Sequence, residues 1–156
     1  MSIKISIIPK FWRMDVNSKK YRVGYTQGTY DLFHIGHLNL LENAKAQCDY
    51  LIVGVNSDEL VLQYKNKNVN IKAEDRVRIV EALRVVDKAV ICDTLDKKDA
   101  FEKFRFDALF IGDDWKGDSR WIDTEKELSE FGVPVIYLPH TDGISTTQLC
   151  EKRGKL

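Results

Sequence analysis

The chain has 156 residues, 44% of them hydrophobic, and its 24 Lys plus Arg are balanced by 24 Asp plus Glu. That length suits one domain with a real core, and a formal charge of zero provides no basic stripe for DNA, RNA or an anionic membrane surface. Cys48, Cys92 and Cys150 are scattered, with no CxxC pair, and read as free thiols of a reducing cytoplasm.

The apolar run near the N-terminus, Ile5 to Ile8, is cut by Pro9 and is too short for a signal-peptide core or a membrane span, so export is not expected, while Ile3, Ile5 and Ile7 alternate like a strand. Residues 1–20 are read as an N-terminal extension, for which an extra edge strand and a loose segment fit equally, and 21–156 as a single domain. Five β-rich runs follow at 22–26, 50–56, 88–92, 108–112 and 133–138, with helical patterns between them. This alternation predicts an α/β fold with a five-stranded parallel sheet covered by helices on both faces. The helix expected over 36–47 aligns Leu40, Leu41, Ala44 and Cys48, and that over 74–86 aligns Val77, Val80 and Leu83. A further helix over 121–131 stops at Gly132.

The most informative stretch runs from Gly28 through Thr29, Tyr30, Asp31, Leu32, Phe33, His34, Ile35 and Gly36 to His37, between an expected strand and an expected helix. Gly28 permits a tight turn, Thr29 offers a hydroxyl, and a helix start offers unpaired N–H groups to an anion. His34 and His37 are three apart, so both rings can face one ligand, and Gly36 keeps the backbone approachable. Surface turn histidines would be the bland alternative. Zinc fits poorly, because the spacing is not HExxH and no cysteine lies close by.

A second candidate helix start is His140-Thr141-Asp142-Gly143-Ile144-Ser145-Thr146-Thr147. Ser145 and Gln148 have the spacing of a capping box, yet three hydroxyls behind a glycine exceed what one cap needs, which favours contact with nucleotide phosphates. Gly112-Asp113-Asp114-Trp115 ends another strand; Asp114 there suits a ribose hydroxyl or water-bridged Mg²⁺, and a polar turn explains it nearly as well. Lys65 and Lys67 in a polar loop over 63–70, and Lys97 and Lys98 at the start of a helical stretch, are the candidate phosphate cations. A dehydrogenase is disfavoured, since no GxGxxG follows the first strand.

Gly28-Thr29-Tyr30-Asp31 with His34-Ile35-Gly36-His37 resembles the HxGH signature of the cytidylyltransferase family within the nucleotidyltransferase superfamily, and Gly143-Ile144-Ser145-Thr146-Thr147 resembles its second signature. The likeness spans Tyr21 to Cys150, and Gly112 to Trp115 narrows it toward the enzymes acting on glycerol 3-phosphate. It implies a Rossmann-like doubly wound sheet, a homodimer, Mg²⁺ with CTP as co-substrate, and direct attack of an acceptor phosphate on the α-phosphorus without a covalent intermediate. By motif position, His34, His37 and Lys65 would be catalytic. Gly28, Thr29, Tyr30, Gly36, Asp114, His140, Thr141, Gly143, Ile144, Ser145, Thr146 and Thr147 would bind CTP, and Lys67, Lys97 and Lys98 the acceptor. Tyr64 and Asn66 stand where the glycerol enzymes tend to carry lysines, and His140 where the family carries arginine, which exchanges a permanent charge for a pH-dependent one. Phosphocholine or phosphoethanolamine as acceptor would want an aromatic pocket, for which Tyr30, Tyr64, Trp115 and Trp121 are candidates. An ATP-dependent adenylyltransferase and a nucleotide-binding regulator without turnover are the remaining alternatives.

Overall fold

Five β-rich runs form strands β1 (Tyr21–Gly28), β2 (Cys48–Asn56), β3 (Lys88–Cys92), β4 (Ala108–Gly112) and β5 (Val135–Leu138) in a computed structural model that describes residues 19–154. They assemble into a single sheet of order β3-β2-β1-β4-β5, every pairing parallel. Parallel neighbours need crossovers, and helices supply them: α1 (Ile35–Lys45), α2 (Asp58–Lys65), α3 (Ala73–Glu81), α4 (Lys97–Phe104), α5 (Ser119–Ser129) and α6 (Thr146–Arg153).

Successive residues of a strand point to opposite faces, and here both faces are buried. Leu51, Val53 and Val55 of β2 join Leu41, Ala44, Val80 and Phe110 in one cluster, while Ile52 joins Tyr25, Phe106, Leu109, Ile111, Trp121 and Leu128 in the other. Helices therefore cover both sides, the doubly wound arrangement. The chain builds outward from β1 to β3 and then crosses back to β4 on the other side of β1, so the C-terminal ends of β1 and β4 flank the crevice where such sheets bind ligands.

Several boundaries differ from those expected. The first helix ends at Lys45, and Cys48, expected on its apolar face, instead opens β2, fully buried. The third helix stops at Glu81; Leu83 and Val86 still pack on the core from the turns that follow. The last strand begins at Val135, because Pro134 lacks the N–H that a ladder needs. Helix α2 occupies part of the segment read as a polar loop: Ser57 caps it, Asp58 and Glu59 complement its N-terminal dipole, and Asn66 ends it at φ 51°. The N-terminal extension over 1–20, read as either an extra edge strand or a loose segment, lies almost wholly outside the described residues. Among those described, no helix is long and apolar enough to cross a membrane.

Candidate functional site

A cavity of about 1060 Å³ opens at the C-terminal ends of β1, β2 and β4. Its wall includes the loop from β1 to α1, the end of α2, the start of α4, and the start of α6.

His34 is the N-cap of α1. Its Nδ1 accepts from the amide of Gly36 at 3.1 Å, and the Nδ1 of His37 accepts from the amide of His34 at 3.3 Å. A nitrogen that accepts cannot carry the proton, so in both rings the proton sits on Nε2. The rings stack with centroids 3.8 Å apart. Burial lowers the pKa of both, and that of His37 falls to about 3, with the neighbouring His34 and Lys65 adding to the effect. The pair is therefore neutral at physiological pH, with two Nε2–H donors side by side. Gly36 is required here, since a Cβ would lie 2.9 Å from Cε1 of His34. Tyr30, buried and left-handed at φ 55°, meets His37 edge-on at 5.3 Å and holds the pair from behind.

Two buried polar groups frame this loop. The Asp31 carboxylate accepts from the amides of Asn70 and Ile71 and from Nδ2 of Asn70, at 2.8 to 3.0 Å, which straps the segment after α2 onto the histidine loop. The guanidinium of Arg76, 1% exposed, donates to the carbonyls of Ile71, Thr29 and Asn56 and to the Asp58 carboxylate, at 2.6 to 2.8 Å. Its four acceptors come from the loop after β1, the junction of β2 with α2, and the segment before α3.

At the other helix start, Ser145 Oγ accepts from the Gln148 amide, one half of the expected capping box. The reciprocal pair appears instead between His34 and His37. Thr146 Oγ1 donates to the Asp31 carbonyl at 2.7 Å, and Asn39 donates to Thr141 Oγ1 at 2.9 Å, so the second signature is bonded directly to the first. The Thr146 hydroxyl is thus held by the protein itself, whereas Thr147 is exposed at the cavity edge. His140 is exposed and bridges two carboxylates, Asp113 through Nδ1 and Asp142 through Nε2. Its hydrogen bond to Asp113, then the charge of that aspartate, raises its pKa.

Of the four candidate lysines, Lys65, Lys67 and Lys97 line the cavity. Lys65 ends α2 and places Nζ 3.4 Å from Thr29 Oγ1. Lys97 is 6% exposed, donates to the Leu95 carbonyl and lies 5.7 Å from the Trp121 ring centre; burial lowers its pKa to about 8. Lys98 is exposed and outside the lining, as is Gly143, whose φ of 79° serves the turn before α6. The same helix start that buries Lys97 turns Lys98 outward.

Residues 25–152 match the model of the cytidylyltransferase-like family. The chain belongs to that family. This cytidylyltransferase-like protein is 46% identical over 132 residues to the glycerol-3-phosphate cytidylyltransferase of Bacillus spizizenii, a match covering 84% of this chain and 96% of the relative. It is 41% identical to the Staphylococcus aureus enzyme of that name over 80% of this chain and 89% of the other. Among solved structures it resembles a lipopolysaccharide core biosynthesis protein from Thermoplasma volcanium, with a TM-score of 0.69 at 22% identity, covering 78% and 99% of the two chains, a likeness of fold.

In the cytidylyltransferase-like protein, then, one cavity gathers Gly28, Thr29, Tyr30, His34, Gly36, His37, Lys65, Lys67, Lys97, Asp114, His140, Thr141, Ile144, Ser145, Thr146 and Thr147, and leaves out Lys98 and Gly143. Asn56 and Arg76 were missed from sequence. Arg76 is not one of the apolar residues, Val77, Val80 and Leu83, by which its helix is recognised, and its partners lie up to 47 residues away.

Proposed function

We propose that this chain transfers the cytidylyl group of CTP to the phosphate of glycerol 3-phosphate, giving CDP-glycerol and pyrophosphate. The observation carrying this reading is the pair of neutral histidines whose Nε2–H donors share one cavity with two helix starts and three lysines. The names of the Bacillus and Staphylococcus relatives support the acceptor.

A phosphate monoester has a second pKa near 6 and is mostly a dianion at neutral pH, so its oxygen needs no general base. It attacks the α-phosphorus; the new P–O bond forms as the bond to the β-phosphate breaks, and the electron pair leaves on pyrophosphate. His34 and His37 donate to the oxygens where charge builds, preorganised by the backbone amides that fix their tautomers. Amides at the start of α6, with Thr147 and Ser145, hold the triphosphate, Lys65 and Lys67 neutralise it, and Lys97 receives the acceptor phosphate.

Among the described residues no group of three or more His, Cys, Asp or Glu is arranged to hold a metal. Mg²⁺ would enter with the triphosphate and its waters, with Asp114 of the cavity wall assisting, and would offset phosphate charge. The aromatic residues speak against a quaternary ammonium acceptor. Lys97 lies over Trp121, Arg120 over Trp115 and Lys65 over Tyr64, at 5.3 to 5.7 Å, while Tyr30 is buried. Choline would meet like charge at three of the four rings. A homodimer in the cytoplasm belongs to the same proposal, with sedimentation as its check.

A pyrophosphate-release screen crossing CTP and ATP with glycerol 3-phosphate, phosphocholine and phosphoethanolamine tests the reading. Turnover confined to CTP with glycerol 3-phosphate is expected; preference for another pair replaces it.

A further inference from the structure

A chain of side-chain hydrogen bonds runs from the core to the cavity. Tyr25 Oη donates to Gln27 Oε1 at 2.8 Å, and Gln27 Nε2 donates both to the Thr94 carbonyl at 2.9 Å and to Asn56 Oδ1 at 2.8 Å. Asn56 Nδ2 then lies 3.1 Å from Tyr64 Oη, and Tyr64 Oη 3.1 Å from Thr29 Oγ1. Lys65 Nζ approaches the same Thr29 oxygen at 3.4 Å.

One backbone group fixes the direction of this chain as far as Tyr64. The Thr94 carbonyl can only accept, so Gln27 must present its NH₂ on that side. Asn56 must therefore turn its oxygen toward Gln27 and its NH₂ toward Tyr64. The Tyr64 oxygen accepts from Asn56, and across its 3.1 Å contact with Thr29 Oγ1 either oxygen can donate. Lys65 Nζ and Asn56 Nδ2 also approach Thr29 Oγ1, at 3.4 and 3.5 Å, longer than the Tyr64 contact; with Tyr64 as donor, Thr29 keeps its own proton, and the residue lines the cavity. Hydrogen bonds aligned head to tail polarise one another.

We propose that Tyr64 is a positioning residue that acts through Thr29, aiming the threonine O–H at a phosphate oxygen in the cavity. This rests on the reading of the site as a cytidylyltransferase only in naming the phosphates. They belong either to the triphosphate of CTP or to the acceptor, and both carry the acceptor oxygens that such a donor recognises. The phenol does work that an aliphatic side chain of the same bulk could not, because it both accepts from Asn56 and donates to Thr29. Tyr64 also stands at a position where the resemblance expected lysine; the ammonium is supplied one residue later, by Lys65.

The test is a double-mutant cycle of Tyr64→Phe and Thr29→Val, read by calorimetric titration with CTP–Mg²⁺ and, separately, with glycerol 3-phosphate, alongside turnover. One net hydrogen bond corresponds to about threefold to tenfold in affinity. Thr29→Val should weaken one of the two ligands by about tenfold and Tyr64→Phe by about threefold, with unchanged unfolding midpoints. In the Thr29→Val background Tyr64→Phe should cost nothing further. The ligand whose affinity moves is the one that receives the proton. Equal losses from Tyr64→Phe in both backgrounds, or no loss for either ligand, overturn the proposal. Coupling in the binding cycle without turnover on glycerol 3-phosphate would overturn the assigned reaction and leave the relay standing.

Discussion

His140 Nδ1 lies 2.5 Å from Asp113 Oδ1, and the His140 amide lies 3.2 Å from the same oxygen, so the loop after β5 is clipped to the turn after β4. With Nε2 facing Asp142 at 3.0 Å, both ring nitrogens are turned to carboxylates, and the ring is first a bridge between loops. The pKa of His140 is raised, and that of Asp113 is lowered by the same hydrogen bond. A base with a raised folded-state pKa contributes fully below its ordinary value of about 6.5 and loses that contribution as pH rises through the raised value. The clip, and the share of folding stability it contributes, should therefore weaken from neutral toward alkaline pH. His140→Arg should flatten that profile, and Asp113→Asn should bring the His140 NMR titration back toward about 6.5. An unmoved titration in Asp113→Asn would dissociate the two residues.

For the histidine pair, His34→Ala or His37→Ala should lower kcat by about a hundredfold or more, as for a lost transition-state donor, with the fold retained by circular dichroism. His37 adds a stability signature. Its depressed pKa means the unfolded chain binds a proton that the folded chain refuses, so stability should fall as pH drops from about 6.5 toward 3. The slope from this one group is at most about 1.4 kcal/mol per pH unit. A urea series across that window should lose this component in His37→Asn.

Lys97 and Lys98, adjacent in sequence, should behave oppositely. Lys97→Met is expected to raise KM for glycerol 3-phosphate by about tenfold, the scale of one charge-assisted hydrogen bond, and Lys98→Met to leave it unchanged. Burial lowers the Lys97 pKa to about 8, so the KM of the natural protein should climb above that pH. The same climb in Lys97→Met would assign it elsewhere.

Arg76→Ala should cost about 3 to 5 kcal/mol in urea denaturation, because it leaves buried carbonyls and one carboxylate without their donor. Arg76→Lys should recover only part, since an ammonium cannot match the span of the fork.

The strands were legible because each is a short β-rich run bounded by turns, and burial on both faces makes such runs nearly continuous. Both histidines and the second helix start were legible because a strand, a glycine and hydroxyls precede a helix. Helix α2 was hidden by Gln63, Lys65 and Asn66, although Ser57, Asp58 and Glu59 spelled out its start. Arg76 and the Tyr64 network were not legible, because their meaning lies in partners that only the fold brings near. His140 was read as a stand-in for a phosphate-binding arginine, while its two carboxylate neighbours belong to a loop contact that local sequence could not disclose.

The left-handed residue that ends α2 has a consequence for how this site can change. Each helical residue advances the side-chain direction by about 100°. Asn66, at φ 51°, breaks that rotation just after Lys65. The stop works like a detent on a dial: it decides which of several neighbouring side chains points into the cavity. Insertion or deletion of one residue in this helix would rotate the lysine off target and bring another side chain round in its place. Where a cation stands relative to this helix end, more than its number in the chain, therefore decides whether it faces the cavity that Lys65 lines.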